Sequence, residues 1–271
     1  MASKQFDVEV NGSVIRAREA GSGSPVVLIY GYGGVPHTSR FEDALAASHR
    51  VITIPLPGQQ GSDRGHDKLH SPLDWVTATL DAIERATGAE VPIHLVAQSV
   101  SGMLAGEIGA INPSWLRSMT LIAPLGLYDD ANPPRNPFAE APPHRIPFMT
   151  QKPDLFKAAY GAPETLSAEE LREHEVIAYR ADEATARLMW PFGDIGLKRR
   201  LHRIKVPVQI IWGSADELVP PAYASRFVEG LRHLVEVELI EDGGHLVALE
   251  TPERCAALVN AFIDKAAASA R

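Results

Sequence analysis

The sequence predicts an α/β architecture: a mostly parallel central sheet with helices on both faces, plus an inserted, mostly helical segment. Three observations carry this. Short apolar runs rich in β-branched residues alternate with helical stretches through most of the chain, the pattern of a parallel sheet covered on both sides. Asn11-Gly12 lies between two alternating runs near the start, which is a hairpin signal. From about residue 125 to 203 the alternation stops, and a cluster of prolines from Pro133 to Pro153 breaks any long element. The expected division is therefore a core of residues 1–124 and 204–271, interrupted by an insertion of residues 125–203.

Each element has a local reason. Phe6 to Val10 and Ser13 to Glu19 flank Asn11-Gly12 and form an edge hairpin. Pro25 to Tyr30 is a continuous apolar strand, ended by Gly31-Tyr32-Gly33-Gly34. That loop lacks the G-K-[ST] of a phosphate-binding loop and the spacing of a dinucleotide fingerprint. Its backbone N–H groups are better read as pointing into a cavity. A short helix over Phe41 to Ala47 precedes a strand over Val51 to Ile54. Ser71-Pro72 opens a helix as N-cap and first residue, and Gly88 stops it.

Ile93 to Val96 reads as a core strand that runs straight into a helix beginning at Val100. Ser99 stands at the junction, with small residues two before (Ala97) and two after (Ser101). This suits a nucleophile elbow, which lifts a serine oxygen clear of the sheet at a helix N-terminus. Met119 to Ala123 is the next strand. In the insertion, Ser167 to Tyr179 and Asp182 to Trp190 read as two helices. Val208 to Trp212 and Val235 to Ile240 are the last strands, separated by a helix over Tyr223 to Leu231, and a helix from Thr251-Pro252-Glu253 closes the chain.

Composition bounds the function. The chain of 271 residues carries 26 Lys plus Arg against 34 Asp plus Glu, a net charge of −8. That argues against a nucleic-acid partner, whose phosphates need a basic face. One cysteine, Cys255, excludes an internal disulfide and a cysteine metal cage, and no metal site is expected. The N-terminus lacks an apolar signal segment and no apolar run is long enough to span a bilayer, so a cytoplasmic protein without membrane contact is expected. A homodimer is compatible with the sequence.

Three polar residues follow closely on buried strands: Ser99, Asp216 and His245. In a parallel sheet such strand ends share one edge, where ligands bind. A serine hydroxyl is a weak nucleophile until a base takes its proton. Imidazole takes it near neutral pH and returns it to a leaving group. A carboxylate holds the imidazole in the right tautomer. The N–H groups of Val100 and of Tyr32 in the glycine loop are the candidate oxyanion donors, and losing one such donor costs about 3 kcal/mol of barrier. Asp129 or Asp130 is an alternative source of the acid. Gly31, Trp190 and Phe192 are the candidate substrate contacts, the two aromatics as pocket wall.

With these residues in place the chain resembles an α/β-hydrolase with a helical cap, over nearly its whole length. The matching motifs are Tyr30-Gly31, Ser99, Trp212-Gly213-Ser214-Ala215-Asp216-Glu217-Leu218-Val219-Pro220, and Gly244-His245 followed by Glu250-Thr251-Pro252-Glu253. The resemblance implies Ser99 as nucleophile, His245 as base and Asp216 as orienting acid. Three departures stand out. Tyr30 replaces the usual His, the elbow lacks both glycines, and Leu56 to Ser62 lacks the leading Asp of the corresponding family loop.

The expected function is cofactor-independent hydrolysis of an ester, thioester or lactone of a small apolar substrate, through an acyl-enzyme on Ser99. A carbon–carbon hydrolase of ring-cleavage diketones is the alternative within the fold, and a ligand-binding protein on the same scaffold is the alternative outside catalysis. Dehalogenase and epoxide-hydrolase chemistry is disfavoured, because those relatives carry Asp at the elbow.

Overall fold

The computed structural model describes residues 3–233 and 235–269. Its sheet has eight strands in the order β1-β2-β4-β3-β5-β6-β7-β8. They are β1 (Lys4–Val10), β2 (Ser13–Ala20), β3 (Pro25–Ile29), β4 (Arg50–Thr53), β5 (Ile93–Gln98), β6 (Leu116–Ile122), β7 (Val208–Gly213) and β8 (Val235–Ile240). β1 and β2 form the hairpin, with Asn11 and Gly12 both at positive φ, and β2 pairs antiparallel with β4. From β4 to β8 every pairing is parallel. β5 and β7 are buried along their whole length, as continuous apolar runs in a doubly covered sheet must be.

The helices are α1 (Arg40–Ala46), α2 (Pro72–Thr87), α3 (Val100–Ile111), α4 (Pro142–Met149), α5 (Pro153–Tyr160), α6 (Ala168–Met189), α7 (Tyr223–Gly230), α8 (Val247–Glu250) and α9 (Pro252–Ser269). Alternate residues of each strand face opposite sides and build two cores. Val27, Ile29, Leu95 and Ile210 pack with Trp75 and Ile83 of α2, Leu104 and Ile108 of α3, and Phe227 of α7. Val26, Leu28, Val96 and Ile211 pack with Phe41 and Leu45 of α1 and with Cys255, Val259 and Ile263 of α9. α2 starts as its sequence predicts: Ser71 caps Asp74 N, and the Asp74 carboxylate reaches back to Ser71 N.

The stretch between β6 and β7 holds α4, α5 and α6. Pro142 and Pro153 each stand at the first turn of a helix, where a missing N–H costs nothing. The proline cluster therefore starts helices as well as breaking chain. α6 is one continuous helix of 22 residues, which corrects the expectation of two. No glycine or proline separates Tyr179 from Asp182, and a capping box of Ser167 and Glu170 anchors its start.

Candidate active site

Three parallel strand ends build the site. β5 closes at Gln98, and Ser99 follows at φ 60 and ψ −127 before α3 begins. A left-handed backbone there costs a non-glycine residue about 1–3 kcal/mol, so neighbours must hold it. Ser99 N donates to Ile122 O at 2.9 Å, and Ser99 O accepts from Gly102 N and Leu125 N, each at 3.0 Å. Two positions on, the buried Ser101 hydroxyl lies 2.9 Å from Ile29 O and 2.8 Å from Gln98 O. It folds back on the strand ends, which is how a serine fits where the family usually has glycine.

β7 ends at Gly213 against the loop that follows β8. A Cβ on Gly213 would stand 2.2 Å from Gly243 O, and Ala215 N donates to that same oxygen at 2.8 Å. This backbone contact brings Asp216 and His245 together. His245 Nδ1 is 2.9 Å from Asp216 Oδ2, and His245 Nε2 is 2.8 Å from Ser99 Oγ. Both His245 and Ser99 are fully buried. Asp216 Oδ2 already accepts from Trp212 Nε1 and so faces His245 as an acceptor, which puts the ring proton on Nδ1 and leaves Nε2 to accept from the serine hydroxyl. Asp216 itself is locked: Oδ2 also accepts from Trp212 Nε1 at 2.9 Å, and Oδ1 accepts from Leu218 N and Val219 N, each at 2.9 Å. Asp129 is turned away, paired with Arg226. Asp242 is a turn residue at φ 56.

Gly31 lies flat on the elbow. A Cβ there would stand 2.2 Å from Gln98 O, 2.7 Å from Ser99 Cβ and 2.9 Å from Val100 N. The peptide joining Gly31 to Tyr32 is thus beside Ser99. Among the described residues neither Tyr32 N–H nor Val100 N–H has a hydrogen-bond partner, although both residues are buried. Buried N–H groups left unpaired are rare and mark a strained or functional position. Tyr30, where His is usual, is buried with its hydroxyl 2.6 Å from Ser39 Oγ, and Ser39 caps α1. Burial pushes the Tyr30 phenol well above its ordinary range, so it stays a neutral structural link between strand end and helix.

A cavity of about 610 Å³ lies beside these groups. Its wall includes Tyr32, Ile146, Met149, Phe156, Ile177 and Ala178, with Arg145 and Asp182 as a charged pair. It touches the site through Tyr32 on one side and Met149 on the other, since Met149 O accepts from Leu246 N at 3.0 Å. Arg145 Nη1 donates to Asp182 Oδ2 at 2.8 Å and to the Tyr32 hydroxyl at 2.5 Å. Burial pushes the Tyr32 phenol up to about 12, with the Asp182 charge adding to the shift and Arg145 opposing it. Burial also raises Asp182, against the pull of Arg145. Neither Trp190 nor Phe192 lines this cavity; Phe192 borders a smaller pocket beside Met103 and Met189. Trp190 is 75% exposed, just past the last buried residues of α6, Leu188 and Met189. Phe192 packs edge-on against Tyr128.

Sequence reasoning missed the polar supports. Gln59 and Glu250 are buried, and each bonds backbone next to a site residue. Glu250 sits in the quoted motif after His245, which was its only signal. His49 is also buried, at 6% exposed. Among the described residues no group of His, Cys, Asp and Glu is arranged to hold a metal ion. No helix there is long and apolar enough to cross a membrane.

Comparison with known proteins finds relatives of the same fold. The chain is 28% identical over 268 residues to the dihydrolipoyllysine-residue acetyltransferase component of the acetoin cleaving system of Pseudomonas putida, covering 95% of this chain and 68% of that one. It is 25% identical over 231 residues to monoacylglycerol lipase ABHD6 of Mus musculus, covering 79% of this chain and 67% of that one. The solved structure of the meta-cleavage product hydrolase CumD of Pseudomonas fluorescens matches with a TM-score of 0.75 at 20% identity, over 96% of this chain and 98% of that one. A family model described as the alpha/beta hydrolase family matches residues 23–258, a span that holds the elbow, the Asp216 turn and the His245 loop, and the chain belongs to that family.

Proposed function

We propose that the protein is a serine hydrolase that cleaves a carboxylic ester, thioester or lactone of a small, mostly apolar molecule. The observation that carries this is the hydrogen-bonded series Ser99 Oγ, His245 Nε2, His245 Nδ1 and Asp216 Oδ2, all withdrawn from solvent. Ser99 Oγ attacks the carbonyl carbon while His245 Nε2 takes its proton. The Tyr32 and Val100 N–H groups receive the developing oxyanion. Collapse breaks the bond to the leaving alcohol or thiol, which takes the proton from His245. A water then gives a proton to His245 and its oxygen to the acyl carbon, and the acid leaves as Ser99 is restored.

The apolar cavity supports a substrate of low polarity, with Arg145 and Asp182 reading any polar substituent. On this reading residues 125–203 form a cap over the site. A fluorophosphonate should label Ser99, and Ser99→Ala should abolish both labelling and turnover of p-nitrophenyl esters. Full turnover by Ser99→Ala would sink the reading. Turnover of a vinylogous diketone far above that of simple esters would transfer the same machinery to carbon–carbon cleavage. Tight ligand binding without labelling would favour a binding protein.

A further inference from the structure

We infer that Gln59 is a positioning residue for the oxyanion-binding peptide, acting through the carbonyl of Gly31; this rests on the hydrolase reading above. The C=O of Gly31 and the N–H of Tyr32 belong to one peptide unit, and a trans peptide points them in opposite directions. Whatever fixes the carbonyl therefore aims the N–H. Gly31 O accepts two hydrogen bonds, from Gly34 N at 3.1 Å and from Gln59 Nε2 at 2.8 Å. The first closes the glycine turn on itself. The second is the only one of the two that comes from outside the loop.

The Gln59 amide cannot be turned over. Its Oε1 accepts from Leu56 N at 3.0 Å, so the other end of the amide must be the donor that meets Gly31 O. Its backbone is pinned as well: Gln59 N donates to Leu56 O at 3.0 Å, and Gln59 O accepts from Ser62 Oγ at 2.8 Å and Ser62 N at 3.0 Å. The side chain is 1% exposed, so water does not compete for these bonds. A neutral donor on the carbonyl also polarises the peptide and makes its N–H a better donor to negative charge. Tyr32 N–H, on the far side of that peptide, has no partner among the described residues. Gln59 itself does not line the cavity, so it serves the reaction through the Gly31 carbonyl alone.

The test uses Gln59→Leu and Gln59→Glu in the full chain, with p-nitrophenyl butyrate as substrate and an alkyl trifluoromethyl ketone as probe. The ketone adds to a reactive serine and leaves an oxyanion in the hole. Gln59→Leu should lower kcat about ten- to a hundredfold with KM nearly unchanged, and weaken the ketone by a similar factor. Gln59→Glu keeps the acceptor for Leu56 N but regains a donor only when protonated. Its kcat relative to wild type at the same pH should rise as the pH falls. A purely structural role would lower the melting temperature without that pH dependence and without a selective loss of ketone affinity. If both variants keep wild-type kcat and ketone affinity, or lose kcat while ketone affinity and pH profile stay unchanged, the inference falls alone. If the wild type neither turns over esters nor adds the ketone at Ser99, the hydrolase reading falls and takes this inference with it.

Discussion

The carboxylate of Glu250 accepts a 2.7 Å hydrogen bond from the hydroxyl of Thr150, across the junction between the core and the insertion. The same oxygen accepts from Gln151 N at 2.9 Å, and the other oxygen accepts from Gly244 N at 2.8 Å, next to His245. One buried carboxyl group thus fixes the loop that carries His245 and the chain that leaves α4. An amide at this position can accept on one side only. Glu250→Gln is expected to lose about 1–3 kcal/mol of stability and to lower kcat more than it changes KM. Urea unfolding and steady-state kinetics on one preparation check both; an unchanged kcat would detach this carboxylate from the base.

Gly31→Ala is expected to disable the site without unfolding the protein. The new methyl would meet backbone at 2.2 Å and the Ser99 side chain at 2.7 Å, distances that no rotamer relieves. The loop must back away from the elbow, and a displaced donor costs about tenfold or more in kcat. Circular dichroism should stay native while turnover drops.

In Asp216→Asn the amide can keep the bonds from Leu218 N and Val219 N through its oxygen. Its NH₂ then faces Trp212 Nε1 and His245 Nδ1, where the carboxylate accepts today. The imidazole would present Nδ1 as acceptor and lose its free base at Nε2. A fall in kcat of about 10³–10⁴ is expected. KM should change little, because the cavity does not involve Asp216.

Arg145 joins α4 to α6 through Asp182. Arg145→Met leaves a mostly buried carboxylate without its cation and should destabilise the protein by about 1–3 kcal/mol. Adding Asp182→Asn should recover part of that loss, since the uncompensated charge is then gone. A double variant no more stable than Arg145→Met would show that packing of the guanidinium, not its charge, is what counts.

His94 makes the fold sensitive to acid. Burial first, then the like charges of His49 and Arg117, pull its pKa from 6.5 down to about 4. The unfolded chain takes up this proton as pH falls through 6.5, and the folded chain does so only near 4. The contribution of neutral His94 is therefore complete above that window and is lost as pH falls through it. With solvent screening allowed for, His94→Gln should flatten the decline by about 1–2 kcal/mol. Urea midpoints above and inside the window, for both proteins, measure it; parallel curves would acquit His94.

The sheet was legible because period-two and continuous apolar runs leave a strand little choice, and Ser99, Asp216 and His245 were legible because each follows such a run. The insertion was harder to read. Pro142 and Pro153 look like breakers in sequence and act as helix starters in space, a difference set by position within the first turn. Trp190 looked like pocket wall on composition alone, but which way a residue at a helix end faces depends on packing partners far along the chain. Gln59 and Glu250 were hidden for another reason. Their partners are main-chain atoms, and a main chain has no residue type for a motif to match.

β6 and β7 are hydrogen-bonded neighbours in the sheet, from Met119 opposite Val208 to Ile122 opposite Ile211. The long excursion carrying α4 to α6 therefore departs and returns at adjacent posts, and Ser99, Asp216 and His245 all lie outside it. It is nonetheless tied to what lies beneath, through Thr150 and Gln151 on Glu250 and through Arg180 on the carbonyls of Gly58 and Ser62, so any exchange of its length or sequence has to keep those anchors.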